Sequence, residues 1–121
     1  MPYLADERRS LRVPCDLSVE YAVKGAPTRQ GRMKNIGPTG ALLTTPGAVP
    51  PVEVEVIVSF HLPLSQRPVR TLGKVRWAHQ ETAGVEFVHL SAQEREEIWR
   101  YYARESGRQR SPDSWPRSIR E

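Results

Sequence analysis

One cysteine, Cys15, is all the thiol chemistry this chain has. It can form no intrachain disulfide, which fits a reducing compartment, and we expect a cytoplasmic protein. No histidine stands near Cys15 in sequence, so a Cys/His nucleophile pair is not in view, and we read the residue as small, apolar and buried. Histidine is scarce as well. His61, His79 and His89 fall in or beside expected strands, none at metal-ligand spacing from another. No segment approaches the ~20 apolar residues that span a bilayer. The N-terminal Met1-Pro2-Tyr3-Leu4-Ala5-Asp6-Glu7 lacks an apolar core and carries early acids, so we do not read it as a signal peptide. Nucleophile elbow, P-loop and dinucleotide fingerprint are all missing. We therefore expect no enzyme, no metal, no cofactor and no membrane insertion.

Lysine is the next shortage: of 18 basic side chains only Lys24, Lys34 and Lys74 are lysines. The rest are arginines, which grip phosphates and base edges bidentately where lysine acts as a point charge. Against 14 acids the net charge is +4, basic but below the density of a dedicated nucleic-acid binder. A length of 121 residues favours one domain, able to bury a core without disulfides or metal.

Residues 1–16 read as a polar arm with prolines at 2 and 14, its first six residues flexible. From Leu17 the pattern alternates: Leu17, Val19 and Tyr21 against Asp16, Ser18 and Glu20, a half-buried strand. Lys24-Gly25-Ala26-Pro27 turns into a second strand, Arg29 to Ile36. Gly37-Pro38-Thr39-Gly40 is a tight connection into a short strand over 41–45. The longest alternation is 52–62, with Val52, Val54, Val56, Val58, Phe60 and Leu62 on one face. A hairpin loop at Leu64-Ser65-Gln66-Arg67-Pro68 leads to strand five, about 69–78, with Val69, Val75 and Trp77 expected inward. Strand six is Gly84-Val85-Glu86-Phe87-Val88. Then the period changes. Ser91-Ala92-Gln93-Glu94 is a capping box, and Ile98, Tyr101 and Tyr102 recur at helical spacing. The helix is expected over 92–105, ending at Ser106-Gly107. Residues 106–121 are a polar, proline-containing tail that buries too little to order itself. Five or six antiparallel strands and one helix predict an all-β fold, a small barrel with the helix over an open end.

Two segments carry candidate chemistry. The first is Glu7-Arg8-Arg9-Ser10-Leu11-Arg12. Its guanidiniums can hold phosphate bidentately, read the O6/N7 edge of guanine, or stack on a purine; by charge alone it reads equally as a solvated basic arm. The second is Asn35-Ile36-Gly37-Pro38-Thr39-Gly40. It is either a β-turn that uses glycine for its backbone freedom, or a bare floor where a flat ligand approaches the chain beside the Asn35 amide. We read the two as meeting in space to form an anion and guanine site.

Taken in order, Arg8-x-x-x-Arg12 ahead of the first strand, Asn35-x-Gly37-x-x-Gly40, then Gly84-Val85-Glu86-Phe87 and a C-terminal helix, the chain resembles the PilZ domain family over residues 7–105. The resemblance implies a six-stranded antiparallel β-barrel that binds the bacterial second messenger cyclic di-GMP. It implies that Arg8 and Arg12 are the principal ligand arginines, with Arg9 supporting, and that Asn35 and Gly40 match the family's second motif, [DN]xSxxG. Gly37 departs from that motif, standing where the family has serine. One hydroxyl is worth ~0.5–1.5 kcal/mol net, on the order of tenfold in affinity.

Three functions compete on this reading. The first is a cyclic di-GMP effector whose arm rearranges on binding and changes contacts with a protein partner. The second is a degenerate relative that does not bind the nucleotide and acts through protein contacts, for example in motility or pilus regulation. The third is a small-barrel nucleic-acid binder, suggested by a pI near 9.6. Such binders pair basic residues with exposed strand aromatics. Here Phe60, Trp77 and Phe87 are expected on core faces, so no DNA or RNA partner is expected.

Overall fold

A computed structural model describes residues 12–47 and 49–109. Six strands, β1 (Val13–Val23), β2 (Arg29–Gly37), β3 (Gly40–Thr44), β4 (Glu55–Phe60), β5 (Val69–His79) and β6 (Thr82–His89), precede one helix, α1 (Ala92–Gln109). Every neighbouring pair is antiparallel, and the sheet closes in the order β1-β2-β3-β6-β5-β4. Closure gives every strand a neighbour on both sides, with β1 meeting β4 from Val19 to Val23. The expected six-stranded antiparallel barrel with a C-terminal helix is the fold observed.

Alternation places the core. Val13, Val19 and Tyr21 of β1, Val56, Val58 and Phe60 of β4, and Val75 and Val85 of β5 and β6 are all buried. The helix closes one end. Ile98 is fully buried and Tyr101 nearly so, while Ser91 and Glu94 exchange the reciprocal capping bonds expected of them, each 3.1 Å. Burying a side chain such as Ile98 is worth ~1.5–3 kcal/mol. That is a large share of the stability of a domain this size, and it makes the lid part of the core.

Beyond shifts of a residue or two, three boundaries and one facing differ from the sequence reading. β1 starts at Val13, inside the expected arm, because Val13 pairs with Ile36 and is buried. A register shift between Pro14 and Leu17 then absorbs the extra residue. β4 starts at Glu55 rather than 52, because Glu53 takes a left-handed conformation, φ 75°. That conformation breaks the alternation and leaves Val52 exposed. In β5, Val75 faces Val85 but Trp77 faces Gly84. Arg76 is the extra, bulged residue and inverts the phase of everything after it. Trp77 therefore points outward and is 46% exposed, where the alternation had put it on the core. Finally, α1 runs through Ser106-Gly107 to Gln109. Gly107 does not adopt a positive φ, so it makes no left-handed cap. In an exposed last turn it costs the helix only ~1 kcal/mol relative to alanine.

Candidate ligand site on the barrel rim

The rim at the helix end is built by the β2–β3 turn. Ile36 and Ala41 point into the core, so Asn35, Gly37 and Gly40 face outward. Gly37 and Gly40 pair directly across the ladder. Both glycines are nonetheless buried, because with no side chain to hold them off other groups pack directly on their backbone. The turn is tied to β6 by a bond from the Phe87 amide to the Thr39 carbonyl, 2.9 Å.

Arg12 lies against this patch. It precedes β1 by one residue, and Pro14 and Val13 register with Asn35 and Ile36. Its Nη1 donates to Asn35 Oδ1 at 3.4 Å, a long bond across 23 residues of sequence. Glycine is required at position 40. A Cβ there would strike the Val85 carbonyl oxygen and would come within 3.0 Å of Arg12 Nη2. The missing side chain thus lets β3 lie close on β6 and gives the guanidinium its berth. Of the six residues expected to form the site, the structure brings together Arg12, Asn35, Gly37 and Gly40; Arg8 and Arg9 lie outside the described residues.

Beyond Gly40 the outer face is charged. Gly40 pairs with Glu86, whose Oε1 accepts from Arg76 Nε at 2.6 Å. Arg76 Nη1 also reaches Glu53 Oε1 at 3.2 Å, and Lys74 Nζ stands 3.9 Å from the same carboxylate. Glu86 above all, and Glu53 after it, hold the Arg76 guanidinium above its ordinary pKa. These pairs are solvent-exposed and individually weak. Their effect is to fix a row of alternating charge leading away from Arg12. Alongside, the Trp77 ring lies flat on Gly84, where any Cβ would clash with it. Sequence reasoning missed this row. It took Trp77 for core, and the bulge at Arg76 turns that ring onto the outer face.

Cys15 is half-buried, and its Sγ donates to the Met33 carbonyl at 3.3 Å. Desolvation first, and neighbouring Asp16 second, push the thiol up to about 12. It stays protonated at neutral pH, without nucleophilic character. The carboxylate of Asp16 is itself held below its ordinary range by hydrogen bonds from Arg32 and Lys34. Among the described residues no group of His, Cys, Asp or Glu side chains could hold a metal ion, and no helix is long and apolar enough to cross a membrane.

The PilZ domain family model matches residues 6–104. The chain belongs to the PilZ domain family. Solved structures share its barrel. The inhibitor of motility from Bacillus subtilis (MotI/DgrA) superposes with a TM-score of 0.73 at 17% identity, over 83% of this chain and 51% of that one. The PilZ domain of YcgR from Escherichia coli, solved with c-di-GMP, gives 0.64 at 9% identity, over 87% and 95%. The Borreliella burgdorferi PlzA protein, in complex with c-di-GMP, gives 0.58 at 17% identity, over 83% and 45%. This PilZ chain thus spans about half the length of MotI and nearly all of the YcgR domain. At these identities the likeness is one of fold. A search of curated proteins finds no match.

Proposed function

We propose that this PilZ domain is a cyclic di-GMP effector, a binding module whose N-terminal arm changes conformation on taking up the nucleotide and so alters contacts with a protein partner. The observation that carries it is the seat of Arg12. A guanidinium lies beside the Asn35 amide and against Gly40, which pairs with Gly37 across the ladder, so that no side chain at either position stands between it and the backbone. A cyclic dinucleotide has the matching chemistry. Its phosphates take a bidentate guanidinium, its guanine presents the O6/N7 edge, and its flat base fits a floor of bare backbone. Arg8 and Arg9, close to Arg12 in sequence, supply further donors in this reading. The outward Trp77 ring adds an aromatic face on the same side of the barrel.

Calorimetry with cyclic di-GMP at tens of micromolar protein tests the proposal. Saturable heat supports it; no heat, beside a working PilZ control, sinks it. One residue favours the rival reading of a domain that acts by protein contacts alone. Gly37 lacks the serine hydroxyl of the family motif, and a partner pull-down indifferent to the nucleotide would favour that reading. Control of motility, the role named for MotI, is one output open to either.

A further inference from the structure

The β4–β5 loop stands at the same end of the barrel as the β2–β3 turn and, by the strand order, diametrically across it. At its tip Leu64 is 85% exposed. Its backbone is left-handed, φ 69°, a region that leucine rarely enters and glycine enters freely. The conformation is imposed by its surroundings. The Ser65 amide donates to the Leu62 carbonyl at 3.1 Å, and His61 Nε2 donates to the Ser65 carbonyl at 2.6 Å. Ser65 Oγ donates to Glu97 Oε1 of α1 at 2.8 Å, and Arg104 Nη2 donates to the Pro63 carbonyl at 3.2 Å. The loop is therefore pinned to the helix, with an apolar side chain held out in water.

Three arginines line the same depression as Leu64. This depression, of about 350 Å³ between loop and helix, is lined by Arg67, Arg100, Arg104 and the Tyr101 ring among others. Glu97, the carboxylate within it, is engaged by Ser65. Arg100 pairs with Glu96, both partners more than 60% exposed, so a partner's carboxylate could replace it cheaply. Arg104 lies over the Tyr101 ring at 5.5 Å, and its Nε stands 3.8 Å from Glu105 Oε2, a loose pair that a partner's carboxylate would have to displace. Among the described residues no carboxylate stands within ion-pair distance of Arg67.

We propose that this surface docks an acidic segment of a partner protein, its apolar side chain against Leu64 and its carboxylates on Arg67, Arg100 and Arg104. An isolated exposed leucine is ordinary. A strained one, fixed by four hydrogen bonds beside a triad of arginines, is a presented anchor with a charge-complementary rim. The surface is distinct from the nucleotide rim, and the proposal does not rest on nucleotide binding.

The test is selection of a displayed random dodecapeptide library on the full chain, without cyclic di-GMP. A fluorescein-labelled copy of the leading peptide is then titrated by anisotropy. The expected peptides carry two or more Asp or Glu around an apolar residue. Their affinity falls tenfold or more in Leu64→Gly and in the double variant Arg67→Glu, Arg100→Glu. Leu64→Gly melts no lower than the parent, which separates lost docking from lost fold. Four results overturn the proposal: no enrichment; enrichment of neutral or basic peptides; peptides that bind both variants as well as the parent; or tighter binding of a labelled single-stranded oligonucleotide. A fifth result does so as well: self-association of the chain that Leu64→Gly abolishes assigns the surface to a second copy.

Discussion

Two connections at the helix end of the barrel solve opposite problems. The β2–β3 turn spends two residues, Pro38 and Thr39, between glycines that pair with each other. The β4–β5 loop spends residues 61–68 and contains no glycine, although its tip takes a conformation that favours one. In the first, side chains are absent so that a guanidinium and, on our reading, a nucleotide can come down onto the backbone. In the second, hydrogen bonds to the helix hold a side chain away from the protein altogether. The comparison shows how one rim can carry both a receiving surface and a presenting one. A receiving surface is specified by what the backbone leaves out. A presenting surface is specified by what pins it from behind.

The contrast is broken most severely by Gly40→Ala. The added methyl meets the Val85 carbonyl, which belongs to the paired strand and cannot swing aside. We expect a loss of about 3 kcal/mol, or a fall in melting temperature on the order of 10–20 °C, read by calorimetry or circular dichroism. Next comes Arg12→Ala. A charge-assisted contact is worth ~1.5–3 kcal/mol, so cyclic di-GMP affinity should fall roughly 10- to 150-fold. The melting temperature should shift less than for Gly40→Ala; equal affinity in the variant would remove Arg12 from the site.

Gly37→Ser sharpens the receiving side. Restoring the family hydroxyl should raise affinity by up to about tenfold; a weaker isotherm would show that the bare floor matters more than the hydroxyl. The smallest effect belongs to the presenting side. Leu64→Gly removes a left-handed leucine that costs roughly 1–2 kcal/mol, against ~0.5–1 kcal/mol of added glycine entropy. The net is a gain of about 0.5 kcal/mol. A loss of more than 1 kcal/mol in urea titration would mean that Leu64 supports the fold.

How much of this could be read from the sequence follows from how far each signal reaches along the chain. The turn was legible, since Asn35, Gly37 and Gly40 sit within six residues and glycine spacing is local. So were the helix start, through Ser91 and Glu94, and the alternations that make β1, β2 and β4. Trp77 was not. Its facing is set by one bulged residue, and period-2 reasoning carries the wrong phase past any bulge. The start of β4 failed for a related reason: Glu53 is left-handed and bonded through its amide to the Val75 carbonyl, 2.7 Å away and 22 residues on. Leu64 looked like ordinary loop, because the groups that fix it lie on a helix 32 residues later. The helix end was misjudged because Ser-Gly was weighed as a stop, when glycine in an exposed last turn is a modest penalty.

The close approach at Gly40 also orders events in time. Arg12 leaves the ribosome before the residues that seat it, and its berth exists only once Asn35 and Gly40 are held, and β3 is clamped by β6 around Val85 and Glu86. β1 must likewise wait for β4, pairing Val19 with Phe60 across some forty residues. Such distant pairings are late steps in folding. The nascent chain therefore cannot hold Arg12 in place until nearly the whole barrel has been synthesised, and a truncated product carries the arginine without its seat.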